Sequence, residues 1–230
     1  MKLYKLTDQK YQTKNSTQWG ENIEHVASGE GELCSSGFLH AYLDPLLAVL
    51  LNPIHANIEN IVLWEAEGEV AKEDHGLKVG CTKLKTIKVI PLPKITIEQK
   101  IKFGILCALE VCKEDKFVTW ANKWLSGEDR TRESAYAVFV SANASANVSA
   151  NASANVSFAT AFSASAVYQA AATYVITNPA DAIYYTNAAA DAVYSAAAAA
   201  DVAYASSIAA SHNTIHKKLD LIALAKEACA

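Results

Sequence analysis

The chain has 230 residues, 51% of them hydrophobic, and a formal net charge of −4 at pH 7. This length allows one large domain or two small ones, and the acidic balance argues against the clustered basic face of a nucleic-acid-binding protein. The number of cysteines is odd, at five, and they form no C-x-x-C pair, which argues against a disulfide framework and favours a reducing cytoplasm. The first residues, MKLYKLTDQK, lack the apolar stretch of a signal peptide, and no run of eighteen apolar residues predicts a membrane span.

Residues 1–93 predict a small mixed α/β domain. KLYKLT is typical of an opening strand, and the glycine-rich SGEGELCSSG is typical of a loop. DPLLAVLLNP predicts a short helix of about two turns, with Asp44 as N-cap and Pro45 in the first helical position, ending before Pro53. Two alternating stretches, IENIVLWEAEGEV and TKLKTIKVI, predict strands on either side of the turn DHGLKVG.

Residues 94–230 predict an Ala-rich helical region, so the fold class is α+β. Thr96 and Gln99 have the spacing of a capping box at the start of a helix, and Gly127 has the position of a C-cap after the stripe Phe117, Trp120, Ala121 and Trp124. Charge then nearly disappears, since residues 134–211 contain only three aspartates. A surface with so little charge favours self-association, so we expect a homo-oligomer.

The repeat SANASANVSANASANVS, at residues 141–157, fits two structures. Alanine-rich neighbours favour helices. Its strict alternation of small apolar and small polar residues instead fits a β-solenoid, and Asn and Ser are poor in helix interiors. Residues 140–166 are therefore expected to be helical, with a small-residue repeat of strands as the alternative.

Residues 33–112 resemble a known family through LCSSGFLHAYLDPLLAVLLNPIHANIENIVLWEAEGEV, DHGLKVGCTKLKTI and ITIEQKIKFGILCALEV. The family is a domain of unknown function from tailed-bacteriophage genomes and some bacteria, and its shorter relatives have C-x-x-G-F-H where this chain inserts Leu39 before His40. The resemblance implies a phage-encoded accessory protein that acts in the cytoplasm of an infected bacterium. It implies no reaction, catalytic residue or cofactor, and we predict no cofactor.

Four residues are candidates for catalysis: His40, Tyr42, Glu65 and Glu67. Their order along the chain is similar to that of ADP-ribosyltransferases, in which a late glutamate stabilises developing positive charge on the nicotinamide ribose. Such an enzyme would use NAD. The alternative is that Glu65 and Glu67 form the solvated face of a strand.

Candidates for ligand binding are Arg130 and Arg132, which lie at a predicted helix start and could hold a phosphate, together with Trp64 and Lys78. A solvated first helical turn is the alternative for the two arginines.

A metal site is not favoured. The weak candidates for zinc are Cys34, His40, His75 and Cys81, whose spacing is wider than that of common zinc sites. His212 and His216 share a helix face near the C-terminus, a pattern that is also common on solvated helices.

These patterns together lead us to expect a non-enzymatic binding protein. The resemblance to phage proteins implies that it inhibits bacterial defence. The partner would be a host immune effector, or a nucleotide signal that the protein sequesters. One alternative is an ADP-ribosyltransferase-like enzyme, and the other is a structural or assembly protein of the virion.

Overall fold

The computed structural model describes residues 1–74, 76–111, 114–131, 133–135, 137 and 219–230. The chain divides after Ile95 into two units, Met1–Ile95 and Thr96–Ala230, and each is described by itself. The predicted domain boundary, between residues 93 and 94, lies two residues before this division. The repeat at 140–166 and the paired histidines at 212 and 216 lie outside the described residues.

The N-terminal unit contains strands and one α-helix, which confirms a mixed α/β region. The elements are β1 (Lys2–Thr7), β2 (Gln12–Thr13), β3 (Thr17–Gln18), β4 (Glu24–Val26), β5 (Leu39–Ala41), α1 (Pro45–His55), β6 (Val62–Asp74) and β7 (Lys78–Ile90). The main sheet has the strand order β1–β6–β7–β4, and β5 pairs with another part of β7. A short hairpin of β2 and β3 surrounds a single 3₁₀ turn.

The main sheet closes into a ring of strands. Tyr4 of β1 and Tyr42, which follows β5, exchange two backbone hydrogen bonds of 2.9 Å. The circuit β1–β6–β7–β5 therefore returns to β1, and side chains on alternate positions point into the ring. The inward-facing core consists of Leu3, Trp19, Ala41, Ala66, Val79, Cys81 and Leu84.

One charged side chain lies inside this ring. Lys5 is only 8% exposed, and its ammonium donates a 2.7 Å hydrogen bond to the His40 carbonyl and lies 4.9 Å from the centre of the Trp19 ring. Burial lowers the pKa of Lys5 to about 8. The carbonyl and the aromatic face thus take the place of a carboxylate partner.

Helix α1 packs against β1 and begins as predicted. The Asp44 carboxylate accepts a 2.8 Å hydrogen bond from the Leu46 amide, and Pro45 occupies the first turn. The predicted end before Pro53 is wrong, because the helix continues to His55. A proline this close to a helix end removes only one backbone donor. After the helix, the Asn52 side-chain amide donates a 3.0 Å hydrogen bond to the Ile58 carbonyl, and its oxygen accepts a 3.2 Å hydrogen bond from the Ile58 amide. These two bonds hold the chain that follows the helix.

Within its described part, the C-terminal unit contains α2 (Ile97–Val111), α3 (Asp115–Ser126) and α4 (Leu221–Cys229). The predicted capping box is confirmed: the Thr96 amide donates to Gln99 Oε1 at 2.9 Å, and the Gln99 amide donates to Thr96 Oγ1 at 3.1 Å. Gly127 is the C-cap of α3 with φ +79°. The predicted α3 stripe of Phe117, Trp120, Ala121 and Trp124 is buried.

The C-terminal helix α4 packs against α2, although more than a hundred residues separate them in the chain. The Gln99 side-chain nitrogen Nε2 donates a 3.1 Å hydrogen bond to the Cys229 carbonyl, and α4 buries Leu221, Ala225 and Ala228. No helix among the described residues is long and apolar enough to cross a membrane.

Candidate functional site

A group of polar side chains gathers on the outer side of β5 and β7, beside the end of α1. We call it the His–Lys cluster, and its members are Cys34, His40, Tyr42, His55, Asp74 and Lys78. Alternation along β5 turns His40 outward while Leu39 and Ala41 join the inner core. The ring thus separates this cluster from the buried lysine inside.

Two of the members form an aromatic pair. The Tyr42 hydroxyl lies 3.3 Å from His55 Nδ1, and the two rings stack with their centres 5.9 Å apart. His55 Nε2 is buried without a hydrogen-bond partner. Burial, with smaller contributions from the nearby Lys78 and His40, lowers the pKa of His55 to about 3. His55 is therefore a neutral imidazole at physiological pH.

His40 is held in one orientation by the backbone. Its Nε2 lies 2.5 Å from the Leu33 carbonyl, so this nitrogen carries the proton. Burial lowers the pKa of His40, with smaller contributions from Lys5 and Lys78, while the Leu33 carbonyl opposes the shift. Burial also raises the pKa of the Tyr42 hydroxyl, which therefore stays protonated.

Lys78 is the cation of the cluster. It is only 9% exposed, and its ammonium lies 3.6 Å from Asp74 and 3.3 Å from the Cys34 sulfur. Cys34 itself is exposed, in the loop between β4 and β5. The structure thus brings together four of the predicted site residues: Cys34, His40, Tyr42 and Lys78.

The two candidate glutamates lie elsewhere on the ring. Tyr4 pairs with Tyr42 on one side and with Glu65 on the other, so a whole strand separates the His40–Tyr42 pair from Glu65. Glu65 forms a 3.2 Å ion pair with Lys2, and Glu67 is exposed opposite Lys2 and Lys85. This arrangement matches the solvated-face interpretation of the two acids.

The other predicted ligand-binding residues are engaged within the chain. Trp64 is 2% exposed, donates a 3.0 Å hydrogen bond to Thr7 and contacts Tyr11 edge-on. Arg130 forms a 2.7 Å ion pair with Glu98, donates a 3.0 Å hydrogen bond to the Trp124 carbonyl and stacks over the Trp124 ring. Arg132 lies outside the described residues.

The four weak zinc candidates do not form a site among the described residues. Cys81 points into the ring, and burial raises the pKa of its thiol to about 11, whereas Cys34 and His40 lie on the outer side. His75 is not described. No group of three or more His, Cys, Asp or Glu side chains in the described part of the chain is arranged to hold a metal ion.

A groove of about 560 Å³ runs along α3 in the C-terminal unit. Such a volume is typical of small-ligand sites. Its charged residues are two lysines and two aspartates, and one of these, Asp129, accepts hydrogen bonds from Thr131 and Ser134 that lower its pKa. The lining residues are Asp115, Lys116, Thr119, Trp120, Lys123, Asp129, Ser134 and Ala137.

Sequence reasoning missed His55, which is central to the cluster. The signal was present, since His55 lies four and seven residues after Leu51 and Ala48, both 0% exposed on the buried face of α1. Extending that face by one turn past Pro53 would have placed His55 against the sheet.

Residues 1–98 match a family described as "Domain of unknown function (DUF7666)". The match covers the whole N-terminal unit and the first residues of α2. It starts earlier and ends earlier than the resemblance predicted for residues 33–112. No curated protein and no solved structure matches the chain.

Proposed function

We propose that this protein acts by binding a bacterial protein and does not catalyse a reaction. The observation that carries the proposal is the separation of the candidate catalytic groups. Tyr4 stands between Tyr42 and Glu65, and each of the three polar side chains in question has a partner within the chain: His40 with Leu33, Tyr42 with His55, and Glu65 with Lys2. An ADP-ribosyltransferase needs its glutamate beside the nicotinamide ribose, so this arrangement disfavours that alternative.

A protein partner fits the charges better than a nucleotide does. Phosphate recognition needs cations that converge on one point, but Arg130 is paired with Glu98, and Lys78 with Asp74. The α3 groove carries both signs of charge beside hydroxyl groups. A mixed lining of this kind complements a peptide segment with both acidic and basic side chains.

The biological setting is part of the same proposal and rests on the resemblance to phage proteins. The protein is phage-encoded, works in the cytoplasm of the infected host and inhibits an immune effector there. The sparse charge of residues 134–211 supports self-association, and an Ala-rich helical structure for this segment belongs to the proposal.

A first experiment separates binding from catalysis. The full chain is incubated with NAD and with cyclic nucleotides, while NAD consumption and the thermal midpoint are recorded. We expect neither NAD turnover nor a midpoint shift, because a tightly bound ligand would stabilise the folded state. NAD turnover that Glu65→Gln abolishes would establish the enzyme instead, and a shift with a cyclic nucleotide would establish sequestration of a signal.

A second experiment tests the groove. Tagged full-length chain is mixed with extract of a phage-susceptible bacterium, and the recovered proteins are quantified by mass spectrometry. Thr119→Arg should abolish recovery of the partner, because Thr119 is exposed and lines the groove. The matched control is Asn122→Arg, an exposed position on the same helix that does not line the groove. Equal recovery with both variants, or a large homo-oligomer that recovers nothing, would contradict the proposal and favour a virion or assembly role.

A further inference from the structure

The contact between Cys34 and Lys78 joins an exposed sulfur to a buried amine. Lys78 Nζ lies 3.3 Å from Cys34 Sγ, and Lys78 is 9% exposed. Lys78 extends from the start of β7, and its ammonium also lies 3.6 Å from the Asp74 carboxylate at the end of β6. A buried amine is therefore held beside the sulfur of an exposed cysteine.

The loop that carries Cys34 is fastened on both sides of the cysteine. The Leu33 carbonyl contacts the His40 ring at 2.5 Å, and the Gly31 carbonyl accepts a 2.6 Å hydrogen bond from Lys72. The Gly29 amide donates a 2.9 Å hydrogen bond to the Gly37 carbonyl, which closes the base of the loop. The approach of sulfur to nitrogen is thus built into the folded unit and is not a chance meeting of two mobile side chains.

We propose that Cys34 and Lys78 form a modification site, at which hydrogen peroxide converts the thiol–amine contact into a covalent sulfur–nitrogen cross-link. In the first step the Cys34 thiolate attacks one oxygen of the peroxide. The S–O bond forms, the O–O bond breaks, and the leaving hydroxide takes up a proton to become water. Sulfur is oxidised by two electrons to a sulfenic acid, and the peroxide is reduced.

In the second step the neutral amine of Lys78, after losing a proton to solvent, attacks the sulfenic sulfur. The S–N bond forms and the S–O bond breaks, and the hydroxyl leaves as water with a proton from the amine. Sulfenic acids condense in this way with nitrogen nucleophiles. One thiol, one amine and one peroxide therefore yield one sulfenamide and two waters, with no other oxidant.

The cross-link would fasten the loop between β4 and β5 to the β6–β7 hairpin. A thiol reductant should reverse it, since the sulfur remains at the oxidation level of a disulfide.

The test exposes the folded full-length chain to hydrogen peroxide and analyses it by proteolysis and tandem mass spectrometry. We expect a linked pair of peptides containing Cys34 and Lys78, lighter than their sum by two hydrogen atoms. Lys78→Arg should lose this product, because a guanidinium keeps the positive charge but stays protonated. The Lys78→Arg variant should instead carry added oxygen on Cys34. Wild-type chain unfolded in urea should also fail to form the link.

Three results would overturn the proposal. One is a wild-type chain whose Cys34 gains only oxygen atoms, as in Lys78→Arg. Another is loss of the same two hydrogens in Cys34→Ser, which would place the oxidation at other cysteines. The last is a linked Cys34 peptide that survives in Lys78→Arg, which would identify a disulfide.

Discussion

Acid should destabilise the N-terminal unit through His55. Its pKa falls from an ordinary 6.5 to about 3 in the folded state, so the folded protein resists binding a proton that the unfolded chain accepts. Above the unfolded pKa the His55 ring is neutral in both states, and the full free energy of unfolding is present. As the pH falls from about 6.5 towards 3, only the unfolded chain binds the proton, so the free energy of unfolding decreases. Between about pH 8 and pH 4.5 the loss amounts to roughly 2 to 3 kcal/mol.

The effect of His55 is isolated by comparing how much the free energy of unfolding of each variant falls between the two pH values. Urea unfolding of the full chain is measured at both pH values, and hydrogen exchange in β5 and β7 assigns the change to the N-terminal unit. His55→Gln should remove most of the extra loss at acid pH, whereas His25→Gln should behave as wild type. His40, Asp74 and Lys78 remain in all the variants, so their own contributions cancel in the difference.

If wild type and His55→Gln lose the same free energy between the two pH values, the buried imidazole is not responsible. A shallower loss in His25→Gln than in His55→Gln would also refute the reasoning, because it would assign the acid sensitivity to the half-buried ring of His25.

Three substitutions test the helical unit through its thermal or urea midpoint. Thr96→Ala removes the hydroxyl that accepts from the Gln99 amide and should cost about 1 kcal/mol; no loss would mean that the box does not stabilise α2. Gly127→Ala should cost about 1 kcal/mol from backbone strain alone, since φ is +79° and no atom lies within 4 Å of an added methyl group, and Gly127→Asn should cost less. Leu221→Ala should cost about 2 to 3 kcal/mol because the side chain is 2% exposed, whereas the exposed Glu227→Ala should change little; equal effects would show that α4 does not contribute to the core.

Local chemistry was readable from the sequence, and long-range pairing was not. Asp44, Thr96 and Gly127 are caps whose partners lie two or three residues away, so residue type and spacing suffice to place them. Likewise, the alternation around Val62 and Trp64 predicted β6, because one face of a strand must be apolar.

The candidate site depended on contacts that span tens of residues. Nothing local indicates that Tyr4 pairs with Tyr42, yet that bridge closes the ring and separates the candidate acid from the candidate base. The pairing of Lys78 with Cys34 likewise depends on how a loop folds over a hairpin. Pattern reasoning supplied four members of the cluster and grouped His40 with Tyr42 and with Cys34, but it did not place Lys78 beside them.

The seating of α4 against α2 has a consequence for biosynthesis. A ribosome releases Ile97–Val111 early, yet the surface of α2 that receives Leu221 and Ala225 stays uncovered until the last of these residues has emerged. The N-terminal unit contains all of its own strands and can fold during translation, while the helical unit has to wait for its final segment. Premature termination anywhere before α4 would therefore yield a finished first unit attached to an unclosed, apolar second one, which quality-control proteases recognise.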